Sequence, residues 1–174
     1  KKSKVLGIDP AKNIAELACK NGINTIAEFF NIDLAKHLIK ESGYADIVFA
    51  RNVIPHVKNI HSVIDGISTL LENDGVGIIE FHDAGLILEE LHYDSIYHEH
   101  LFYFSLGTIS GLLEKYKLFV FDIMPSPISG GSWVIYFSKN RRPLTNELQA
   151  VIELERNKNI NTLESWQNFA IAVK

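Results

Sequence analysis

The 174 residues are 47% hydrophobic and carry a formal charge of −4, enough apolar material for one domain with a sizeable core. The acidic balance excludes the basic face that non-specific nucleic-acid binding requires, and the 17 Lys and Arg residues are scattered, so no polybasic membrane patch forms. No apolar run reaches the ~20 residues of a membrane span, and one cysteine excludes an internal disulfide or a cysteine-based zinc cluster. The expectation is a cytoplasmic protein acting on a small molecule, with no nucleic-acid or membrane partner. Along the chain, Val5 to Asp9 reads as a short buried strand, and Pro10-Ala11 opens a helix carrying Ile14, Leu17 and Ala18, with Cys19 as a small buried hydrophobe. Asn21-Gly22 stops that helix, Thr25 to Phe30 is strand-like, and a helix through Leu34, Leu38 and Ile39 ends near Gly43. Ala45 to Ala50 reads as a buried strand, Ile60 to Leu71 as a helix closed by Asn73-Asp74-Gly75, and Val76 to Phe81 as another strand.

Strands alternating with helices of ten to fifteen residues imply a mostly parallel, doubly wound α/β sheet. The second half differs. Leu106 to Lys117 reads as a helix, and Phe119 to Met124 and Ser132 to Ser138 as strands joined by a connection too short for a parallel crossover, hence an antiparallel hairpin at the sheet's edge. From Pro143 onward the chain is polar and helical, with Leu148, Ile152, Leu163, Trp166 and Phe169 as apolar contacts. The expected organisation is a core over residues 1–142 and a helical extension over 143–174 leading to a further domain.

In doubly wound sheets, ligands lie at the carboxyl ends of the strands. That rule singles out Asp9, Glu28, Asn52 and Glu80. Asp9 suits either a nucleotide ribose or a helix cap. Phe29-Phe30 beside Glu28 suits either an adenine or the core. Asn52 and His56 flank the next strand end. The densest chemistry is Tyr97-His98-Glu99-His100-Leu101-Phe102-Tyr103, where two imidazoles, a carboxylate and two phenols crowd one loop. Histidine exchanges protons near neutrality, so such a cluster points to proton chemistry or metal ligation. No Gly-x-Gly-x-x-Gly phosphate loop is present, and the strand-ending Asp9 leads to the expectation that the first βα unit is missing from this chain.

Four segments occur in order: Ile8-Asp9-Pro10; Asn52-Val53-Ile54-Pro55-His56-Val57; Tyr93 to Leu106 with its Tyr-His-Glu-His core; and Gly130-Gly131-Ser132. Together they resemble the S-adenosylmethionine-dependent C-methyltransferases that act on nucleotide-linked keto-deoxysugars, over roughly Lys4 to Lys139. The resemblance implies a Rossmann-like class I methyltransferase core with S-adenosylmethionine as donor. It implies donor-binding roles for Asp9, Pro10, Glu28, Phe29 and Asn52, and catalytic roles for His100 as base with Glu99 and Tyr97 as companions. His56, Glu80, His98, Tyr103, Gly130, Gly131 and Ser132 are the expected acceptor contacts. No metal ligands are expected in these residues; zinc belongs to a cysteine-rich N-terminal segment that such proteins carry and this sequence does not include. Ser129 stands where the family commonly has His, Val134 where it has Arg, and Glu80-Phe81-His82-Asp83 is less apolar than usual.

The chemistry suits these residue types. Methylating carbon requires a carbon nucleophile, and a neutral imidazole can create one by taking a proton from carbon beside a ketone. Glu99 is expected to orient the ring or stabilise its cation, and a phenol or the Asn52 amide to donate to the enolate oxygen. The alternatives are a metal site using His82, Asp83, His98, Glu99 and His100, a nicotinamide-dependent oxidoreductase, and a non-catalytic methyltransferase-like module.

Overall fold

The computed structural model describes residues 3–174. The first half alternates strands and helices: β1 (Gly7–Ile8), α1 (Lys12–Lys20), β2 (Thr25–Ile26), α2 (Ile32–Ser42), β3 (Ala45–Arg51), α3 (Ile60–Leu70) and β4 (Leu71–His82). Then follow α4 (Ala84–Glu89), α5 (Leu106–Glu114), the strands β5 (Phe119–Ser126) and β6 (Ser132–Ser138), and the helices α6 (Asn146–Asn157) and α7 (Leu163–Ala172). β1 and β2 form a parallel pair, and a second sheet runs β3-β4-β6-β5, parallel between β3 and β4 and antiparallel across β6. The expected Rossmann-like α/β architecture with an antiparallel edge hairpin is therefore present.

Local chemistry explains the element limits. The Asn31 side chain accepts from the amides of Asp33 and Leu34 to start α2, and Gly43 at φ 83° ends it. In α3 the buried Ile60, Val63, Ile64, Ile67 and Leu70 recur at helical spacing and turn one face to the sheet. Asn73-Asp74-Gly75 does not close α3 as expected. The helix ends at Leu70, and the Asn-Asp-Gly triplet lies inside β4, where the pairing shifts between Ala45↔Leu71 and Ile47↔Val76. Backbone carbonyls of Leu71, Asn73 and Asp74 are held there by Lys139, Asn140 and Arg142.

The main core joins α3, β4, α5, β5, β6 and α6 through Ile64, Ile79, Ile109, Leu113, Ile135 and Phe137, all fully buried. A second cluster of Leu34, Ala35, Leu38 and Leu70 ties α2 to α3, with Leu6, Ile8 and Ile26 of the β1–β2 region and Val48 of β3 packed against it. Three expectations of burial need correction. β3 turns only Val48 and Ala50 to the main core, whereas Ile47 and Phe49 are 64% and 58% exposed. A parallel strand is buried when both faces are covered and both edges paired, but among the described residues the outer edge of β3 has no partner strand. β1 is a two-residue, half-buried strand, and β2 stops at Ile26 because the chain turns toward the Asn31 cap. Cys19 is exposed, its Sγ directed to the Thr25 carbonyl.

The tightest contact in the sheet lies at Gly77, where an added Cβ would stand 2.1 Å from the ring of the fully buried Phe137. Gly77→Ala is expected to destabilise the fold by about 1–3 kcal/mol through overpacking, read as a lower urea midpoint with unchanged m-value.

Candidate active site

The loop after β3 and the loop between α4 and α5 converge. A single 3-10 turn, Ile54–His56, follows β3, with Ile54 and Pro55 buried. The Pro55 carbonyl accepts from both Leu101 N–H (2.9 Å) and Phe102 N–H (3.2 Å), which anchors the histidine-rich loop to that turn. Phe104 is fixed by a bridge to Asp83 and by accepting from Ala84 N–H, and its ring meets Phe81 and Phe102. The intervening residues are thus tethered at both ends.

This anchoring sets two imidazoles side by side. The rings of His56 and His100 lie 4.9 Å apart. His100 Nδ1 is 2.8 Å from the Ser95 carbonyl and His56 Nδ1 is 3.0 Å from the Glu99 carbonyl. A carbonyl oxygen can only accept, so each Nδ1 carries the hydrogen and, in the neutral ring, each Nε2 is left as the basic nitrogen. The Tyr97 hydroxyl lies 3.3 Å from His100 Nε2, with the two rings 4.4 Å apart, and donates to it. Tyr103 meets the His100 ring edge-on at 6.1 Å and continues to Trp166 of α7.

The other sequence-derived candidates separate into two groups. Glu99 is exposed and enters the site through its carbonyl on His56; the His100 ring is oriented by Ser95 instead. His98 is exposed and touches only the edge of Tyr97 among the aromatic contacts. Glu80 is buried, ion-paired with Arg51 and accepting from Ser126 Oγ at 2.6 Å, so its carboxylate is committed within the protein. Gly130 and Gly131 make the tight turn into β6 at φ 78° and 147°, and a Cβ on Gly131 would collide with Leu86 at 2.2 Å. Ser132 is buried and donates to the Ile128 carbonyl.

At the other strand ends, Asp9 is half-buried. Its Oδ1 accepts from Ala11 N–H at 2.8 Å, and Oδ2 makes no hydrogen bond among the described residues. The carboxylate therefore serves the turn with one oxygen and retains the other. Pro10 is exposed beside it. Phe30 packs into both core clusters, whereas Phe29 is 76% exposed next to the exposed Glu28. Asn52 directly follows β3 with φ 50°, a left-handed conformation that Asn tolerates.

Sequence reasoning missed the orienting role of Ser95, the Arg51–Glu80 pair and the facing rings of His82 and His92 (5.7 Å). Burial and the neighbouring His92 and His100 hold His82 below the ordinary imidazole range. A signal existed only for Arg51, which follows an apolar strand directly. Among the described residues no group of three or more His, Cys, Asp or Glu converges as a metal site, and no helix is long and apolar enough to cross a membrane.

Residues 1–121 match the model of the methyltransferase domain family, and the chain belongs to that family. It is 33% identical over 172 residues to the C-methyltransferase NovU of Streptomyces niveus, covering 96% of this chain and 40% of that protein. The chain thus spans about two-fifths of the length of this curated relative. Among solved structures it resembles a SAM-dependent methyltransferase of Thermotoga maritima described as a possible histamine N-methyltransferase. The TM-score is 0.56 at 19% identity, over 78% of this chain and 73% of that one. It also resembles the magnesium protoporphyrin IX methyltransferase of Synechocystis, solved with SAH bound, at TM-score 0.57 and 13% identity over 78% and 64% of the two chains. These structures establish the class I methyltransferase fold.

The split between the adjacent phenylalanines is directly testable. Phe30→Ala is expected to cost about 3 kcal/mol of stability, the lower end for loss of a core Phe. Phe29→Ala should stay within about 0.5 kcal/mol of the parent in the same denaturation experiment.

Proposed function

We propose that the protein is an S-adenosylmethionine-dependent C-methyltransferase in which His100 removes a proton from carbon beside a ketone. Its acceptor on this reading is a nucleotide-linked keto sugar or a closely related small molecule in the cytoplasm. The observation that carries the proposal is the tautomer of His100: with Nδ1–H on the Ser95 carbonyl, Nε2 is a preset base facing a phenol. The kinship with a C-methyltransferase supports the same reading.

The residues at the strand ends fit an adenosyl donor. Asp9 has one carboxylate oxygen without a partner among the described residues, able to accept from ribose hydroxyls, Phe29 offers an exposed aromatic face beside Glu28, and Asn52 is exposed at a left-handed turn. When bound, the sulfonium donor supplies an electrophilic methyl group.

The chain's own part is proton handling and placement. His100 Nε2 accepts the proton, the electron pair of the broken C–H bond becomes the enolate, and the ring's positive charge is stabilised through Nδ1–H on Ser95. When the acceptor binds, the Tyr97 hydroxyl turns from Nε2 to the acceptor's carbonyl oxygen, which frees the Nε2 lone pair for the proton and places the donor on the oxygen as the enolate forms; one such donor is worth about 3 kcal/mol. His56, bearing the same tautomer 4.9 Å away, offers a second nitrogen to the acceptor. The helices over residues 143–174 are read as leading to a further domain.

In the full-length protein, His100→Ala is expected to lower turnover by about 10²–10⁴-fold, the usual worth of a general base. Its S-adenosylhomocysteine affinity by calorimetry should stay within about twofold of wild type, since the base touches the acceptor and not the donor. Unchanged turnover would remove His100 from the mechanism, and a preference of the wild type for NADH or zinc over S-adenosylhomocysteine would overturn the proposal. Asp9→Ala is expected to weaken S-adenosylhomocysteine binding by about 1.5–3 kcal/mol, the worth of a hydrogen bond to a charged group. Unaltered affinity would reduce Asp9 to its turn-holding role.

A further inference from the structure

His82 ends β4 opposite Ser132, and its Nε2 is buried with no hydrogen-bond partner among the described residues. Its ring faces that of His92 at a centroid distance of 5.7 Å, the planes tilted by 32°. His92 belongs to the loop between α4 and α5, the same segment that presents Tyr97 and His100. The turn into β6 closes this place from the other side, where a Cβ on Gly130 would stand 3.3 Å from His92 Cε1. Two tilted, neighbouring imidazoles therefore join the rim of the sheet to the start of the site loop.

We propose that His82 is a positioning residue for that loop: its neutral ring, packed against His92, seats residues 90–104 with Tyr97 and His100 in place, and protonation of His82 releases them. The proposal rests on the reading of His100 as the base for its catalytic consequence, but not for its physics. A charge on His82 would be buried without a partner for Nε2 and set against a second imidazole. The titratable groups that face it are His92, His100 and Asp94, all from the loop. Just past the end of α4, Glu90 reaches His92 Nε2 at 3.3 Å; next to His82 along the chain, Asp83 spends its carboxylate on the Gly85 amide; and the Ser126–Ser132 turn contributes no titratable group. The two histidines and burial lower the His82 pKa and outweigh Asp94, which raises it. Since the folded state disfavours the charged ring, the closed loop keeps this stabilisation above the ordinary imidazole pKa of ~6.5 and loses it as the pH falls.

The test is hydrogen–deuterium exchange of the whole protein at pH 7.5 and 5.5, expressed as protection relative to the intrinsic rates. Wild-type amides in residues 92–104 are expected to lose protection by up to about tenfold at the lower pH, the limit for one imidazole titrated one unit below its ordinary pKa. In His82→Leu, which fills the space without titrating, that pH dependence should vanish. If His82→Leu does not fold, His92→Phe serves: it keeps an aromatic ring against His82, removes the neighbouring imidazole and should raise the His82 titration midpoint followed by the NMR signal of its Cε1 proton. Overturning results are wild-type protection that does not change with pH, a pH dependence that survives in His82→Leu, or a His82 midpoint unmoved by His92→Phe. None of these measurements depends on turnover, so they fail or succeed separately from the His100→Ala experiment.

Discussion

The carbonyl of Pro55 accepts from the amides of both Leu101 and Phe102, and the placement of the site follows from that shared acceptor. Pro55 and Ile54 are themselves buried against the main core, so the anchor inherits the rigidity of the sheet. Once the loop is tied there, Glu99 lies beside His56 and Ser95 lies beside His100, and two backbone carbonyls choose the tautomers of two imidazoles. A histidine left to solvent would divide its proton between both nitrogens. Here the side-chain chemistry is decided by main-chain geometry, which in turn is decided by burial of an Ile-Pro pair.

The C-terminal helices reinforce the same loop from its far end. Glu155 of α6 is buried and accepts from the Leu106 and Gly107 amides at the first turn of α5, which Ser105 and Thr108 also close with a reciprocal capping box. Those amides stand directly after Phe104, so the carboxylate fixes the exit of the histidine-rich loop as Pro55 fixes its middle. Burial raises the Glu155 pKa despite the two amides that oppose the shift. Trp166 of α7 adds a lateral contact through Tyr103 to His100. Residues 143–174 are therefore coupled to the site rather than appended to the sheet.

Much of this was legible in the sequence, and the misses have physical causes. Alternation of apolar runs with helical spacing reveals the parallel order, and the seven-residue connection before Ser132 requires a hairpin, because both signals are local. The burial of β3 was misjudged because an apolar composition reports a preference, not the presence of a covering neighbour. The Asn73-Asp74-Gly75 signal was overridden by the side chains of Lys139, Asn140 and Arg142, which reach its strand from sixty or more residues away. At the site, residue types in the Tyr97–Tyr103 segment suggested proton chemistry, but gave no sign of which atom would orient His100. A backbone carbonyl leaves no mark in a sequence, whereas Glu99 does. The pairing of His82 with His92 was hidden for the same reason: neither residue is unusual until the loop folds back over the end of β4.

Two histidines with equal tautomers raise the question of which is the base. Both present Nε2, and both are half-buried at the strand-end rim. They differ in what faces that nitrogen. His100 Nε2 has the Tyr97 hydroxyl at 3.3 Å, while among the described residues the only hydrogen bond of the His56 ring is to the Glu99 carbonyl through Nδ1. A base that must create an enolate works best when a donor stands where the negative charge will appear, because the proton leaving carbon and the charge growing on oxygen develop together. The phenol beside His100 meets that requirement from the same loop, with no rearrangement of the sheet. On the proposed reading it favours His100 over His56 as the proton acceptor, with His56 offered as a contact for the substrate.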